Sequence, residues 1–221
     1  DGVESIGMSA FEACAKLKSI TIPGSVTDIN YYVFKDCASL SGLIISNGVK
    51  NIKSSAFESC GSLSSVTIPD SVTNIGASAF RNCNNLMSVV IGSSVTEIGN
   101  GAFSLCGRLT EIYNRSVLNI TAGEIGDNGE IGYYAKAVYT EPYKSRLMTD
   151  ADGFVKYVYA GKVWLINYLG KDADITVPVD VTHINRYAFY EKAIKSVNLG
   201  ENIVSIGFFS FGYCDLLESI E

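Results

Sequence analysis

Hydrophobic and polar positions follow a strict period of 23 residues over the first half of the chain. Three slots of this period hold the same residue type in five successive repeats: a phenylalanine, a cysteine and a leucine. The residues with this spacing are Phe11, Phe34, Phe57, Phe80 and Phe103; Cys14, Cys37, Cys60, Cys83 and Cys106; and Leu17, Leu40, Leu63, Leu86 and Leu109. A fixed period of about 20–50 residues is typical of a solenoid, in which each repeat forms one coil stacked on the last.

One repeat, residues 63–85, shows which elements the period contains. Apolar and polar residues alternate over residues 63–68, which predicts a strand with one buried face. Pro69 ends this strand, because proline has no backbone N–H for a sheet hydrogen bond. After a turn, Val72 and Ile75 are predicted to point inward from the opposite wall of the coil. Residues 76–83 bend the chain back, and we expect a short helical or 3₁₀ turn there.

Stacking of such coils places equivalent residues about 4.8 Å apart, so that each slot becomes a ladder. The predicted fold is a β-rich, right-handed solenoid of parallel strands linked by short helical or 3₁₀ turns. The period holds over residues 1–112 and returns over residues 175–221, where Phe189 and Phe211 continue the aromatic slot. Residues 113–174 lack the period and are predicted to be a non-repeat insertion within one continuous solenoid domain.

The insertion contains its own strand signals. Residues 154–159 and 162–168 are rich in β-branched and aromatic residues and meet near Ala160 and Gly161, which predicts a β-hairpin. Residues 133–140 are predicted to form another strand. The insertion also holds eight of the thirteen tyrosines and the only tryptophan.

The repeat resembles the BspA-like (Treponema-type) leucine-rich repeat. The unit Leu63-Ser-Ser-Val-Thr-Ile-Pro-Asp-Ser-Val-Thr-Asn-Ile-Gly-Ala-Ser-Ala-Phe-Arg-Asn-Cys83 carries the resemblance, and its apolar positions recur at the same offsets in the other repeats. The resemblance implies an extracellular or cell-surface protein of a bacterium, although protists carry similar proteins. It also implies adhesion to a protein ligand, either host extracellular matrix or the surface of another cell.

Composition excludes several classes of function. Of the 221 residues, 47% are hydrophobic, which is ample apolar material for a folded core. The formal net charge is −6 and no segment is basic, so we expect no nucleic-acid partner. No apolar run of about 18 residues occurs, so we expect no membrane insertion in this segment. Both ends fall inside a repeat, which we interpret as a piece of a longer protein, and the sequence leaves the oligomeric state open.

All six cysteines, including Cys214, occupy the same slot, three residues after the phenylalanine. Stacking therefore aligns them in one column with parallel Cβ directions, which is poor geometry for disulfides. We expect free, buried thiols that pack as small hydrophobic side chains. One ligand per coil cannot surround a metal ion tetrahedrally, so we expect no metal site and no cofactor.

No arrangement of residues in the sequence indicates catalysis. His183 is the only histidine, and it occupies the slot of Asp28 and Asn74, where we expect an exposed side chain. Nucleophilic catalysis needs a base within hydrogen-bond reach of a nucleophile, and no such pairing is visible in the sequence. We therefore expect a protein that is not an enzyme.

Two acidic segments deserve comparison with cation sites. Residues 150–153 begin like a calcium loop, but the twelfth position is Gly161 instead of glutamate, so a turn before a strand is predicted. Residues 123–132 contain Glu124, Asp127 and Glu130 among four glycines. They are predicted to form a mobile loop, with cation binding as the alternative.

Two surfaces are candidates for binding. The outward strand positions are mostly small, neutral or β-branched and form two rows: Ser19, Gly42, Ser65, Ser88 and Glu111; and Thr21, Ile44, Thr67, Val90 and Tyr113. Most of them are not the Tyr, Trp and Arg anchors of binding hot spots, so a flat contact of low affinity is expected there. The aromatic residues of the insertion either fill a small core or present a binding patch. The candidates for that patch are Tyr113, Tyr133, Tyr134, Tyr139, Tyr143 and Trp164.

The main hypothesis is a non-catalytic adhesion or binding module that recognises protein ligands through one face of a solenoid. One alternative is a structural spacer within a larger surface protein. Another is an accessory region of a secreted enzyme whose catalytic residues lie elsewhere.

Overall fold

The computed structural model describes residues 2–126, 128–142 and 144–221. Contacts divide the chain into two compact units, a first unit of Asp1–Tyr143 and a second unit of Lys144–Glu221. Each unit consists of stacked coils whose apolar side chains point inward, and each has a hydrophobic core. The predicted solenoid architecture is therefore confirmed.

Among its described residues, the first unit contains ten strands and one short helix. They are β1 (Ser19–Ile22), β2 (Asp28–Ile29), β3 (Gly42–Ile45), β4 (Asn51–Ile52), β5 (Ser65–Thr67), β6 (Asn74–Ile75), β7 (Ser88–Ile91), β8 (Glu97–Ile98), β9 (Glu111–Asn114), α1 (Ile131–Tyr134) and β10 (Ala137–Tyr139).

Two walls of the first unit are parallel sheets. Along one wall, β1 pairs with β3, and β5, β7, β9 and β10 form a four-stranded sheet. Along the other wall, the two-residue strands β2, β4, β6 and β8 form a second sheet. The register follows the sequence period, with Val66 opposite Val89 and Ile75 opposite Ile98. Like residues therefore lie beside like, as the period predicts.

A third wall of turns closes each coil and holds the aromatic column. The rings of Phe11, Phe34, Phe57, Phe80 and Phe103 stack at centroid distances of 5.2–5.3 Å. The N–H of Phe57 donates to the carbonyl of Ala79 in the next coil at 2.8 Å. The segment from Gly76 to Cys83 forms successive turns instead of a regular helix, because Ser78 (φ 56°) and Asn82 (φ 61°) have left-handed backbone conformations.

After β9 the chain continues the stack through one irregular coil. Phe57 donates its N–H to the carbonyl of Ala79, whereas the equivalent Phe103 donates its N–H to the carbonyl of Gly129 at 2.9 Å. β10 pairs in parallel with β9, and Ala137 lies opposite Glu111. The strand predicted over residues 133–140 is therefore confined to Ala137–Tyr139, because a left-handed residue at Glu130 leads into helix α1 before the strand begins.

Among its described residues, the second unit contains eight strands. They are β11 (Leu147–Thr149), β12 (Phe154–Tyr159), β13 (Lys162–Tyr168), β14 (Asp174–Thr176), β15 (His183–Ile184), β16 (Ser196–Asn198), β17 (Ser205–Ile206) and β18 (Ser219–Ile220). Of all the helices within the described part of the chain, none has the length and apolar character needed to cross a membrane.

The second unit combines coils with the predicted hairpin. β14, β16 and β18 form a parallel sheet, and β11, β12, β13, β15 and β17 form a five-stranded mixed sheet. β12 and β13 are antiparallel and turn at Ala160 and Gly161, which confirms the hairpin. β13 then pairs in parallel with β15, so a hairpin strand occupies the place of a short coil strand. The rings of Phe189 and Phe211 continue the aromatic slot, with centroids 4.9 Å apart.

Candidate binding surfaces

The outer face of the longer strands carries a row of side chains that points away from the core of the first unit. We call this the outer strand row, and its members are Thr21, Ile44, Thr67, Val90, Tyr113 and Tyr139. Thr21, Ile44 and Thr67 are exposed, with Ile44 60% exposed, whereas Val90 and both tyrosines are half-buried. Alternation along each strand produces this row, since neighbouring residues such as Val66 and Val89 are buried.

The two tyrosines of this row are cross-strand neighbours. Tyr139 of β10 lies directly opposite Tyr113 of β9, as Val90 lies on the other side of Tyr113. Opposed side chains on one face of a sheet lie close enough to form one continuous contact surface. The outer strand row therefore ends in a pair of aromatic side chains of the type that anchors protein interfaces.

The second outward row differs from the sequence expectation at one position. Glu111 was expected to be open to solvent but is fully buried. β10 lies alongside β9 and places Ala137 opposite Glu111. The sequence period does not predict this neighbour, because β10 follows an irregular coil.

The remaining tyrosines of the first unit lie in or near helix α1. Tyr133 and Tyr134 are half-buried, and their rings make an edge contact with centroids 4.8 Å apart. Tyr134 packs against the hydrophobic core, which favours a structural role for that residue. Tyr143, also a candidate from the sequence, lies outside the described residues.

Trp164 belongs to the second unit, where it covers the only histidine. The centroids of the Trp164 and His183 rings are 4.5 Å apart, and His183 is only 8% exposed. Nδ1 of His183 lies 2.8 Å from the hydroxyl of Thr182. The prediction of an exposed histidine is therefore wrong, because β13 pairs with β15 and places Trp164 directly opposite His183.

The cysteines form the predicted column, and each thiol beyond the first coil has a backbone partner. The thiol of Cys60 donates to the carbonyl of Phe34 at 3.2 Å, and that of Cys83 to the carbonyl of Phe57 at 3.3 Å. Burial raises the pKa of both Cys60 and Cys106 to about 12. Cys14 and Cys214 are less buried than predicted, because each lies in a coil that is covered on one side only. The buried thiols of Cys37, Cys60, Cys83 and Cys106 are packing groups with low nucleophilicity.

The acidic segments do not form a metal centre in the described part of the chain, where no group of three or more His, Cys, Asp or Glu side chains is placed to hold an ion. Asp150 accepts the N–H of Phe154 through its carboxylate at 2.9 Å, which makes residues 150–153 the predicted turn before a strand. Glu130 accepts a hydrogen bond from the hydroxyl of Ser104 at 2.6 Å. Asp127 lies outside the described residues.

Sequence reasoning missed a cluster of aromatic side chains on the turn wall of the second unit. We call it the aromatic patch, and it consists of Tyr187, Tyr190, Phe208, Phe209 and Tyr213. Phe208 and Tyr213 are each 63% exposed, and Phe209 is 45% exposed. The signal in the sequence was the replacement of small residues such as Ala77, Ser78 and Asn82 by aromatic ones at equivalent positions of the repeat.

Comparison with solved structures shows bacterial leucine-rich repeat proteins. A leucine-rich repeat protein of Treponema pallidum, TpLRR, is 29% identical with a TM-score of 0.51, over 63% of this chain and 68% of that one. A leucine-rich cell surface protein of Faecalibacterium prausnitzii is 30% identical with a TM-score of 0.45, over 99% of this chain and 64% of that one. The pneumococcal vaccine antigen PcpA is 22% identical with a TM-score of 0.43, over 99% of this chain and 56% of that one.

The chain thus spans less than two thirds of the length of the latter two proteins. Among curated proteins, none matches this sequence. The family model for the BspA type leucine-rich repeat region matches in six copies, over residues 2–124 and 171–221. These ranges cover more than half of the sequence and coincide with the coils that carry the phenylalanine and leucine slots. The chain therefore belongs to the family of BspA-type leucine-rich repeat proteins, whose fold is a protein-interaction repeat module.

Proposed function

We propose that this chain is a non-catalytic adhesion module of a bacterial cell-surface or secreted protein, and that it binds a protein ligand through the outer strand row of the first unit. The observation that carries the proposal is the pair Tyr113 and Tyr139, placed side by side at the end of a row of exposed β-branched residues. The ligand is a protein of the host extracellular matrix or of another cell surface.

The chemistry of the row supports a flat protein contact. Its side chains carry no charge, and their rigid β-branched or aromatic shapes lose little conformational entropy when a partner covers them. The strands beneath them are fixed by backbone hydrogen bonds between coils, so the surface is formed before binding. Interfaces of this kind depend on a few aromatic anchors surrounded by neutral contacts that exclude water.

The non-catalytic part of the proposal is supported by the state of the nucleophiles and the base. His183 is packed against Trp164, and Cys60, Cys83 and Cys106 are buried thiols with raised pKa values. Buried thiols of this kind are protonated at neutral pH and are poor nucleophiles.

Binding of the purified chain to immobilised collagen, laminin and fibronectin, measured by surface plasmon resonance, tests the proposal. We expect Tyr113→Ala with Tyr139→Ala to raise the Kd at least tenfold for the protein that binds. Tyr31→Ala is the matched control, because it removes a 39%-exposed tyrosine from the turn wall of the same unit. An intact chain that binds none of these proteins favours a structural spacer. An equal rise in Kd for the Tyr113 and Tyr139 variant and for the Tyr31 control would indicate that the ligand contacts another surface of the chain.

The proposed location has a separate test. Antibody raised against the chain should label intact cells of the source organism, or the protein should be recovered from the culture medium. Recovery only from the interior of lysed cells would contradict the proposal.

A further inference from the structure

The aromatic patch of the second unit forms a connected surface of five rings. Its ring centroids lie 4.6–6.4 Å apart, and each ring contacts at least two others. Phe209 lies near the centre, in contact with the other four rings. Gly212 makes room for it, because a Cβ at that position would collide with the Phe209 ring. A contiguous exposed patch of this composition marks an interaction site.

These rings occupy slots that face outward in the repeat as a whole. Tyr31 and Tyr32 hold the slots of Phe208 and Phe209 in a coil of the first unit that has a hydrogen-bonded neighbour on each side. They are nevertheless 39% and 38% exposed. These slots therefore remain partly exposed in a coil that is covered on both sides, although Phe208 and Phe209 are more exposed, at 63% and 45%.

The backbone at three of these rings argues against a role in folding. Tyr187 (φ 59°), Phe209 (φ 52°) and Tyr213 (φ 55°) adopt left-handed conformations. Bulky side chains rarely adopt this conformation, and the equivalent slots of the first unit hold mostly small or polar residues such as Ser78 and Gly101, with Tyr32 (φ 59°) and Leu105 (φ 62°) as exceptions. Phe209 and Tyr213 are also exposed, and an aromatic side chain that is both strained and exposed favours a role in contact outside the coil.

The first unit contains a cation–π contact to a ring in one of these slots. The ammonium of Lys35 lies 5.6 Å from the centroid of the Tyr32 ring, a cation–π contact within one coil. In the second unit, the slot of Lys35 is held by Tyr190 and Gly212, so no lysine is supplied from this slot. This slot of the second unit therefore supplies no cation to the rings of Phe208, Phe209 and Tyr213.

Charge around the patch has the complementary sign. Residues 186–221, which contain the whole patch, have five carboxylates and three cations, namely Glu191, Glu201, Asp215, Glu218 and Glu221 against Arg186, Lys192 and Lys195. The two cations close to the patch in sequence, Arg186 and Lys192, already take part in interactions within the chain. A net negative charge over these residues attracts a cationic partner, and aromatic rings can then hold the cation over their faces.

We infer that the aromatic patch binds a segment of a partner protein that carries arginine or lysine side chains, with each cation placed over a ring as Lys35 is placed over Tyr32. This inference names a partner chemistry for the protein-binding function proposed above, and it uses a surface separate from the outer strand row.

Fluorescence anisotropy with the full 221-residue chain tests it. The probe is a fluorescein-labelled peptide of four Gly-Arg repeats, compared with peptides of four Gly-Gln and four Gly-Glu repeats. The test variant carries Phe208→Ala, Phe209→Ser and Tyr213→Asn, which are the residues of the same slots at Ala77, Ser78 and Asn82. The matched control carries Tyr31→Ala and Tyr32→Ser. Thermal melting checks that both variants fold, and we expect the test variant to melt no lower than the parent, since it loses strained exposed rings.

We expect the arginine peptide to bind at least tenfold more tightly than the other two peptides, and the test variant to lose at least tenfold in affinity. The control variant should bind as the parent does. Equal binding of the three peptides, or unchanged affinity of the folded test variant, would overturn the inference. The two proposals can fail independently. Binding to matrix proteins tests Tyr113 and Tyr139, whereas binding of the arginine peptide tests only the aromatic patch.

Discussion

The two units use the same coil but differ in which slots they vary. In most coils of the first unit the turn wall carries small or polar residues such as Ser78 and Asn82, with Tyr31 and Tyr32 in one coil, whereas the second unit places Phe209 and Tyr213 at the same positions. The buried aromatic slot is unchanged, with Phe57 and Phe189 both fully buried. Contacts between stacked coils therefore restrict the residues that the inward slots can hold, whereas the residues at the outward slots can vary and can form binding surfaces.

The reason lies in the contacts that each slot makes. A buried phenylalanine touches its equivalents in the coils on both sides, so a change in one coil leaves a mismatch with two neighbours. An outward residue touches few neighbours and changes at little cost to stability. Differences between units at outward slots are therefore informative about binding, and differences at inward slots are informative about folding.

The strongest test of this distinction removes one ring from the column. Phe57→Ala should lower the free energy of unfolding by about 3–5 kcal/mol, because a fully buried ring between two stacked rings leaves a cavity. Thr67→Ala on the outer strand row should change it by less than about 0.5 kcal/mol. Urea unfolding measures both values, and similar midpoints for the two variants would contradict the assigned register.

A second test uses the cysteine slot, which Lys192 occupies in one coil of the second unit and Cys214 in another. Burial raises the pKa of Cys60 from 9.0 to about 12 in the folded chain, so only the unfolded chain loses this proton between these values. The contribution of the neutral Cys60 thiol to the free energy of unfolding is therefore fully present below pH 9 and is lost as the pH rises toward 12. Relative to Cys60→Ala, the parent should lose on the order of 1 kcal/mol by pH 10.

Urea unfolding of parent and variant at pH 8, 9 and 10 measures this difference directly. The variant controls for lysine and tyrosine side chains, which also titrate in this range. Parallel pH profiles for the two proteins would show that the Cys60 thiol ionises as easily in the folded chain as in the unfolded one.

The smallest effect concerns the left-handed slot. Ser78→Gly should raise the free energy of unfolding by roughly 0.5–1 kcal/mol, because glycine adopts φ 56° without strain. Ala77→Gly, one residue earlier and without a left-handed backbone, should lower it by a similar amount. Thermal melting of both variants tests this expectation. A lower melting temperature for Ser78→Gly as well as for Ala77→Gly would mean that the left-handed slot is not strained, and that Phe209 adopts this conformation at no cost.

Much of the fold was predictable because the repeat itself contains the information. The spacing of Phe11 to Phe103 and the hairpin at Ala160 and Gly161 both follow from local sequence. The site was less predictable. Tyr113 could be assigned to an outward row from alternation, but its neighbour Tyr139 could not, because the irregular coil before β10 breaks the period.

The sequence alone determined the coil: which side chains face inward, that the phenylalanines and cysteines form columns, and that parallel strands stack in register. It could do so because every coil meets a copy of itself, so one period specifies all the contacts between neighbours. Tertiary structure alone decided the positions where unlike segments meet. Trp164 covers His183 and Ala137 lies beside Glu111 because β13 and β10 pair with coil strands. No spacing in the chain encodes such pairings, since they depend on how a non-repeating segment satisfies the open edge of a sheet.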